Sequence, residues 1–153
     1  LIPGIEQIRK KDDAIASQEK KPIEELSVEP RLKFIKREIP RILRIFKEYF
    51  SEEHFIIFTE IVENGGDAKN PLLFLGKSNQ LLNSFKLLAN NDIITGCSKK
   101  ELINWIIRNF TFISSSKKIS SISYWHASHV VTDSQYVCKR PILGVKNGHV
   151  YKV

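Results

Sequence analysis

Methionine is missing from this sequence altogether, and cysteine occurs only twice in 153 residues. With Leu1 in place of an initiator Met, the sequence reads as a processed chain or an expressed piece of something longer. Two isolated cysteines, Cys97 and Cys138, cannot supply the disulfide framework of a small secreted scaffold. Both are expected to be reduced, small buried hydrophobes in a cytoplasmic protein. Long hydrophobic runs are absent as well. The longest reach about six residues against the roughly 18 of a membrane helix, so no membrane partner is expected. Residues 1–12 mix charged and apolar side chains too evenly for a signal peptide. Asn109-Phe110-Thr111 fits a glycosylation acceptor but falls at the end of an apolar helical pattern, where a sugar would not fit.

What is present is a globular composition, 42% hydrophobic with nine Phe and two Trp. Charge is present in excess and unevenly. The net +7 divides into −2 over residues 1–30, +5 over 31–50, −3 over 51–98 and +7 over 99–153. A basic chain with its charges segregated favours a polyanionic partner, with solubility as the plain alternative.

The pattern predicts an α+β chain, mainly helical, with a leader or linker at 1–28 and a single domain at 29–153. Leu32, Ile35, Ile39, Ile42, Phe46 and Tyr49 form one helical stripe, with Pro40 bending or breaking the helix. Lys33, Arg37, Arg41 and Arg44 lie on its outer side. Ser51 can cap a helix over His54–Val62 that ends at Asn64-Gly65-Gly66, although that segment's β-branched content also suits a strand. Pro71–Leu75 reads as a short strand. Ser78 caps a helix with Leu81, Leu82, Phe85 and Leu88 inward, and Ser98-x-x-Glu101 is a capping box opening a second helix at 99–110. Residues 119–138 stay open between strand and helix. Asn147-Gly148 fits a two-residue hairpin turn joining 142–146 to 149–153.

Gly76-Lys77-Ser78 sits between strand and helix like the tail of a phosphate loop. The motif needs a glycine where Pro71 stands and flexible residues where Leu72–Leu75 want burial, so nucleotide hydrolysis is rejected. Cys97, His126, His129 and Cys138 are zinc-ligand types without paired ligand spacing. Glu60 and Glu63 are a carboxylate pair with nothing to mark acid and base. No cofactor and no enzymatic activity are expected.

The helix pair at 78–110 is consistent with a helix-turn-helix, residues 111–125 serving as a wing. Lys100, Asn104 and Arg108 share one outward face, and Asn and Arg are the side chains that pair bidentately with adenine and guanine. With Lys99 and the Ser114–Lys118 loop, the expected nucleic-acid footprint is Lys99, Lys100, Asn104, Arg108, Lys117 and Lys118. Phe74-Leu75-Gly76-Lys77-Ser78, then LLNSFKLLANNDII and KKELINWIIRNF, resembles the RteC-type regulators of conjugative transposons over roughly residues 72–112. That resemblance implies a helical amino-terminal region, a winged-helix-like carboxy-terminal region and regulation by DNA binding. The expected function is a DNA-binding regulatory module. The alternative is a module that docks an acidic protein, through the leader and the 31–50 stripe.

Overall fold

The computed structural model describes residues 32–153, so the leader expected at 1–28 lies outside the described residues. Where the pattern predicts a helix over 31–50 bent or broken near Ile39 and Pro40, the chain is extended in β1 (Lys33–Phe34) and makes one 3-10 turn at Lys36–Glu38. It then starts α1 (Ile39–Phe46) with Pro40 in the first helical turn. A proline there sacrifices nothing, because the first amides of a helix have no intrahelical acceptor. The apolar stripe survives this change: Leu32, Ile39, Ile42 and Phe46 are all buried.

Helix α2 (Glu52–Asn64) resolves the ambiguity of its segment in favour of the cap. Ser51 Oγ accepts the His54 amide at 3.1 Å, and the helix ends at Gly65 with φ +75°. A Cβ at Gly65 would stand 2.6 Å from the Leu32 carbonyl oxygen, so only glycine fits. β2 (Leu72–Phe74) leads into α3 (Ser78–Asn90). Ser78 does not cap this helix as expected. It is the first helical residue, Lys77 stands before it, and the Gln80 side chain accepts the Lys77 amide at 2.9 Å. β3 (Ile94–Thr95) pairs antiparallel with β1.

The capping box at the start of α4 (Lys99–Asn109) forms as expected, Ser98 N–H reaching Glu101 Oε1 at 2.8 Å and Glu101 N–H reaching Ser98 Oγ at 3.1 Å. Phe110 begins β4 (Phe110–Ile113), which turns at 114–118 into β5 (Ile119–Ser121). Sheet order is β2-β4-β5, with β2 parallel and β5 antiparallel to β4. Ser123 then caps α5 (Tyr124–Thr132), which buries Ala127, Val130 and Val131 and packs against both α3 and α4. The open stretch 119–138 is thus a strand, a corner and a helix. β6 (Leu143–Lys146) and β7 (His149–Lys152) pair across Asn147 at φ +53° and Gly148 at φ +79°, the two left-handed residues a type I′ turn requires. The described residues make an α+β architecture of five α-helices and three small sheets.

Aromatic rings fill the core. Phe46 stacks on Phe85 at 5.9 Å and Phe50 on Phe58 at 4.8 Å, while Trp105 meets Phe85 edge-on at 5.5 Å and Phe110 at 5.7 Å. These are the offset and edge-to-face arrangements that ring quadrupoles favour.

Candidate nucleic-acid interface

Of the residues expected to contact DNA, Lys99 and Lys100 are exposed in the first turn of α4 and Asn104 is half-buried on its flank. Arg108 is exposed but engaged: its Nη2 lies 3.2 Å from Asp67 Oδ1. Beneath that pair Asn109 is fully buried, accepting the Ala68 amide at 2.7 Å and donating to Asp67 at 3.0 Å and to the Trp105 carbonyl at 2.8 Å. Arg108 therefore helps pin the 66–68 loop, and a base-reading role would require it to leave Asp67. Lys117 and Lys118 are exposed at the β4–β5 tip, which is closed by Ser114 N–H to Lys118 O at 2.9 Å and Lys117 N–H to Ser114 O at 2.8 Å. Lys99, Lys100, Lys117 and Lys118 make no salt bridge among the described residues.

A second cationic group, not anticipated from the sequence, assembles around the first turn of α3. Ser78 Oγ and His126 Nε2 are 3.1 Å apart, Asn79 Nδ2 donates to Tyr136 Oη at 3.2 Å, and Gln80 Nε2 donates to the Arg140 carbonyl at 2.8 Å. These contacts draw the start of α5 and the 133–141 loop onto α3. Lys86, buried in the same helix, ties the loop from below. Its Nζ donates to the Asp133 carbonyl at 2.8 Å and stands over the Tyr136 ring. Lys77, Lys139 and Arg140 are left exposed around this turn of α3, and on α5 Trp125 has an exposure of 84%, the largest among the big apolar side chains described. Between residues 113 and 141 the only carboxylate is Asp133, set beside His129 at 3.8 Å. Burial, and then the neighbouring His129, hold His126 below the ordinary histidine range.

Lys33, Arg37, Arg41 and Arg44, expected on one helical face, are divided among β1, the 3-10 turn and α1 and are organised differently. Glu38, fully buried, accepts the Val150 amide at 2.8 Å on one oxygen; Arg37 Nε at 3.2 Å and His149 Nδ1 at 2.9 Å approach the other. Arg41 joins at 3.4 Å, and Arg37 Nη2 donates to the Gly148 carbonyl at 3.1 Å. Burial alone raises this carboxyl, but the Val150 amide, His149 and Arg41 outweigh it and hold it below its usual value. Arg37 and Arg41 therefore clamp the carboxy-terminal hairpin to α1, while Lys33 and Arg44 remain exposed.

Acidic side chains gather elsewhere, in a cleft of about 650 Å³ along α2 and the 66–72 loop that includes Glu53, Glu60 and Asp67. Cys97 is half-buried, its thiol raised by burial and by Glu101, which is the opposite of an activated nucleophile. The Ser78–His126 spacing is that of a nucleophile and base, yet among the described residues no carboxylate hydrogen-bonds the other ring nitrogen of His126 to orient it. Among the described residues no three metal-ligating side chains converge, and no helix is long and apolar enough to cross a membrane. Compared with protein-family models, curated proteins and solved structures, the chain finds no match in any of the three.

Proposed function

We propose that this chain is a non-enzymatic DNA-binding module of regulatory role, related to the RteC-type regulators. In this reading α3 and α4 act in the manner of a helix-turn-helix and the β4–β5 hairpin acts as a wing. The observation that carries it is the set of exposed lysines without carboxylate partners, Lys99, Lys100, Lys117 and Lys118, on a part of the chain whose net charge is +7. Cations that a fold leaves unneutralised are available to displace counterions from phosphates. Asn104 supplies an amide on the same helix for a base edge.

The test is duplex binding titrated across salt. Each phosphate contact steepens the dependence of affinity on salt by about 0.9 in logarithmic slope. The double change Lys117→Gln and Lys118→Gln is expected to flatten it by up to about two and leave sequence preference intact. Asn104→Ala is expected to relax preference at one base pair at a cost of about 1–3 kcal/mol. Undetectable duplex binding near roughly 50 mM salt would sink the proposal.

One observation favours a second reading, in which the module docks an acidic protein. Arg37 and Arg41 are held in place by Glu38 and Gly148 while remaining about half exposed, so they would lose little conformational freedom on meeting a partner carboxylate.

A further inference from the structure

We propose that Trp125 is a stacking platform for unpaired bases, and that the surface formed by α3, α5 and the 133–141 loop takes single-stranded DNA. This rests on the DNA-binding reading above but commits to a different form of the ligand and to residues outside the α4 footprint.

The two tryptophans set the contrast. Trp105 is 1% exposed and donates its indole N–H to the Gly66 carbonyl at 3.1 Å. Trp125 is 84% exposed, and no hydrogen bond to its indole is found among the described residues. The backbone that carries the ring is nonetheless held in position. The next residue, His126, is fixed to Ser78, and the α5 turn is capped by Ser123 accepting the His126 amide at 3.1 Å. Tyr124, 42% exposed, precedes it. A solvent-facing indole on an anchored helix turn has only two side-chain torsions to fix, so it can bind a flat apolar face with little loss of conformational freedom.

The surroundings identify that face. Lys77 adjoins Ser78 in sequence as Trp125 adjoins His126, so the Ser78–His126 hydrogen bond brings together the two backbone turns that carry them. Lys139 and Arg140 reach the same turn of α3 through the Gln80–Arg140 and Cys138–Asn79 contacts. Lys117 and Lys118 immediately precede β5, whose far end leads into α5. Lys77, Lys139 and Arg140 thus meet at the turn of α3 to which α5 is tied, and the 113–141 segment that carries Lys117, Lys118, Tyr124 and Trp125 has a single carboxylate, Asp133, which already faces His129 and accepts the Gln135 amide. Cations for a phosphate backbone, interleaved with rings for bases, are the combination that binds single strands without sequence preference. In a duplex the base faces are stacked on one another and offer the indole nothing. An unpaired strand offers both groups at once.

The test uses Trp125 as its own reporter, since Trp105 is buried and insulated. The whole chain is titrated with an oligothymidylate of about 12 nucleotides and with a duplex of equal length, reading tryptophan emission and oligonucleotide anisotropy together. The single strand is expected to quench the red-shifted Trp125 emission in step with binding and to bind more tightly than the duplex. Trp125→Ala should weaken single-strand binding roughly 5- to 140-fold, the stacking of one base converted at tenfold per 1.4 kcal/mol. Trp125→Phe should retain most of the affinity. Both variants should leave the salt slope unchanged, whereas Lys139→Gln with Arg140→Gln should flatten it by about 0.7 for each phosphate released. At so exposed a position either substitution should leave the circular dichroism spectrum intact. Duplex binding with silent Trp125 emission, or unchanged single-strand affinity in Trp125→Ala, would overturn the platform while leaving the DNA reading standing. Binding of neither nucleic acid would overturn both, and quenching by anionic phospholipid vesicles alone would reassign the surface to lipid.

Discussion

The chain uses its cations in two ways, and the regions around Glu38 and Trp125 show the difference. At Glu38 a buried carboxylate gathers Arg37, Arg41 and His149 and commits them to fixing a hairpin to a helix. Around Trp125 the elements are drawn together by contacts that use no carboxylate, Ser78 with His126, Asn79 with Tyr136, and Gln80 and Lys86 with backbone carbonyls, and Lys77, Lys139 and Arg140 make no salt bridge among the described residues. A run of basic residues therefore says little until the position of the nearest carboxylate is known. Removing charge from the first region should damage the fold; removing it from the second should damage binding alone.

The largest effect is expected where both regions lean on the same core. Phe110, fully buried against Phe85 and Trp105, joins α4 to β4, and Phe110→Ala should cost about 3–5 kcal/mol in chemical denaturation. A loss under about 1 kcal/mol would mean that neither region has the support described.

Next comes Glu38. Glu38→Ala strands the Val150 amide and leaves Arg37, Arg41 and His149 without their acceptor, for an expected loss of about 1–3 kcal/mol. In the lysine region, Lys117→Gln with Lys118→Gln should move stability by less than about 0.5 kcal/mol, since both side chains are exposed and unpaired. Equal losses in the two variants would erase the distinction between the regions.

Acid should separate the regions by a smaller margin. His126 has its folded value below the ordinary 6.5, so the unfolded chain takes up that proton more readily and stability falls as pH drops below that value. Glu38 is also lowered, from 4.5, so its contribution is complete above that value and is lost as pH falls through the depressed folded value. Denaturation midpoints followed from pH 7 downward should decline in two stages. His126→Gln should remove the first and Glu38→Gln the second. A midpoint independent of pH over this range would contradict both assignments.

Local rules account for much of the fold. The Ser98–Glu101 box, the Gly65 stop, the PLLFL strand and the Asn147-Gly148 turn each depend on neighbours within a few residues, and each is readable in the sequence. Pro40 reads as a bend because its stripe continues through residues that are not helical; only the strand pairing of Lys33 and Phe34 with β3 shows where the helix starts. Helix α5 has no clear apolar period, being made of Tyr, Trp, His and Ser around Ala127, Val130 and Val131. In the candidate site, the exposure of Lys99, Lys100, Lys117 and Lys118 follows from sequence. The engagement of Arg108 by Asp67 does not, and neither does the gathering of Lys77, Trp125, Lys139 and Arg140, because the partners lie tens of residues apart. The exposed Trp125 beside Ser123, a helix cap, is the one local signal that points there.

The parallel pairing of β2 with β4 also carries a consequence for folding kinetics. The β4–β5 hairpin closes over residues 114–118, but the register of Leu72 with Phe110 closes only after α3, β3 and α4 have been accommodated between them. Closing a long loop costs entropy before any contact rewards it, so the parallel pair is expected to form late and to limit the folding rate. Lys77 leaves the end of β2 while Lys117 and Lys118 sit beyond β4, on opposite sides of that closure. A newly made chain therefore holds its lysines from the start, but brings the exit of β2 that leads to Lys77 to the same end of the sheet as the 114–118 turn only once this parallel pair has formed.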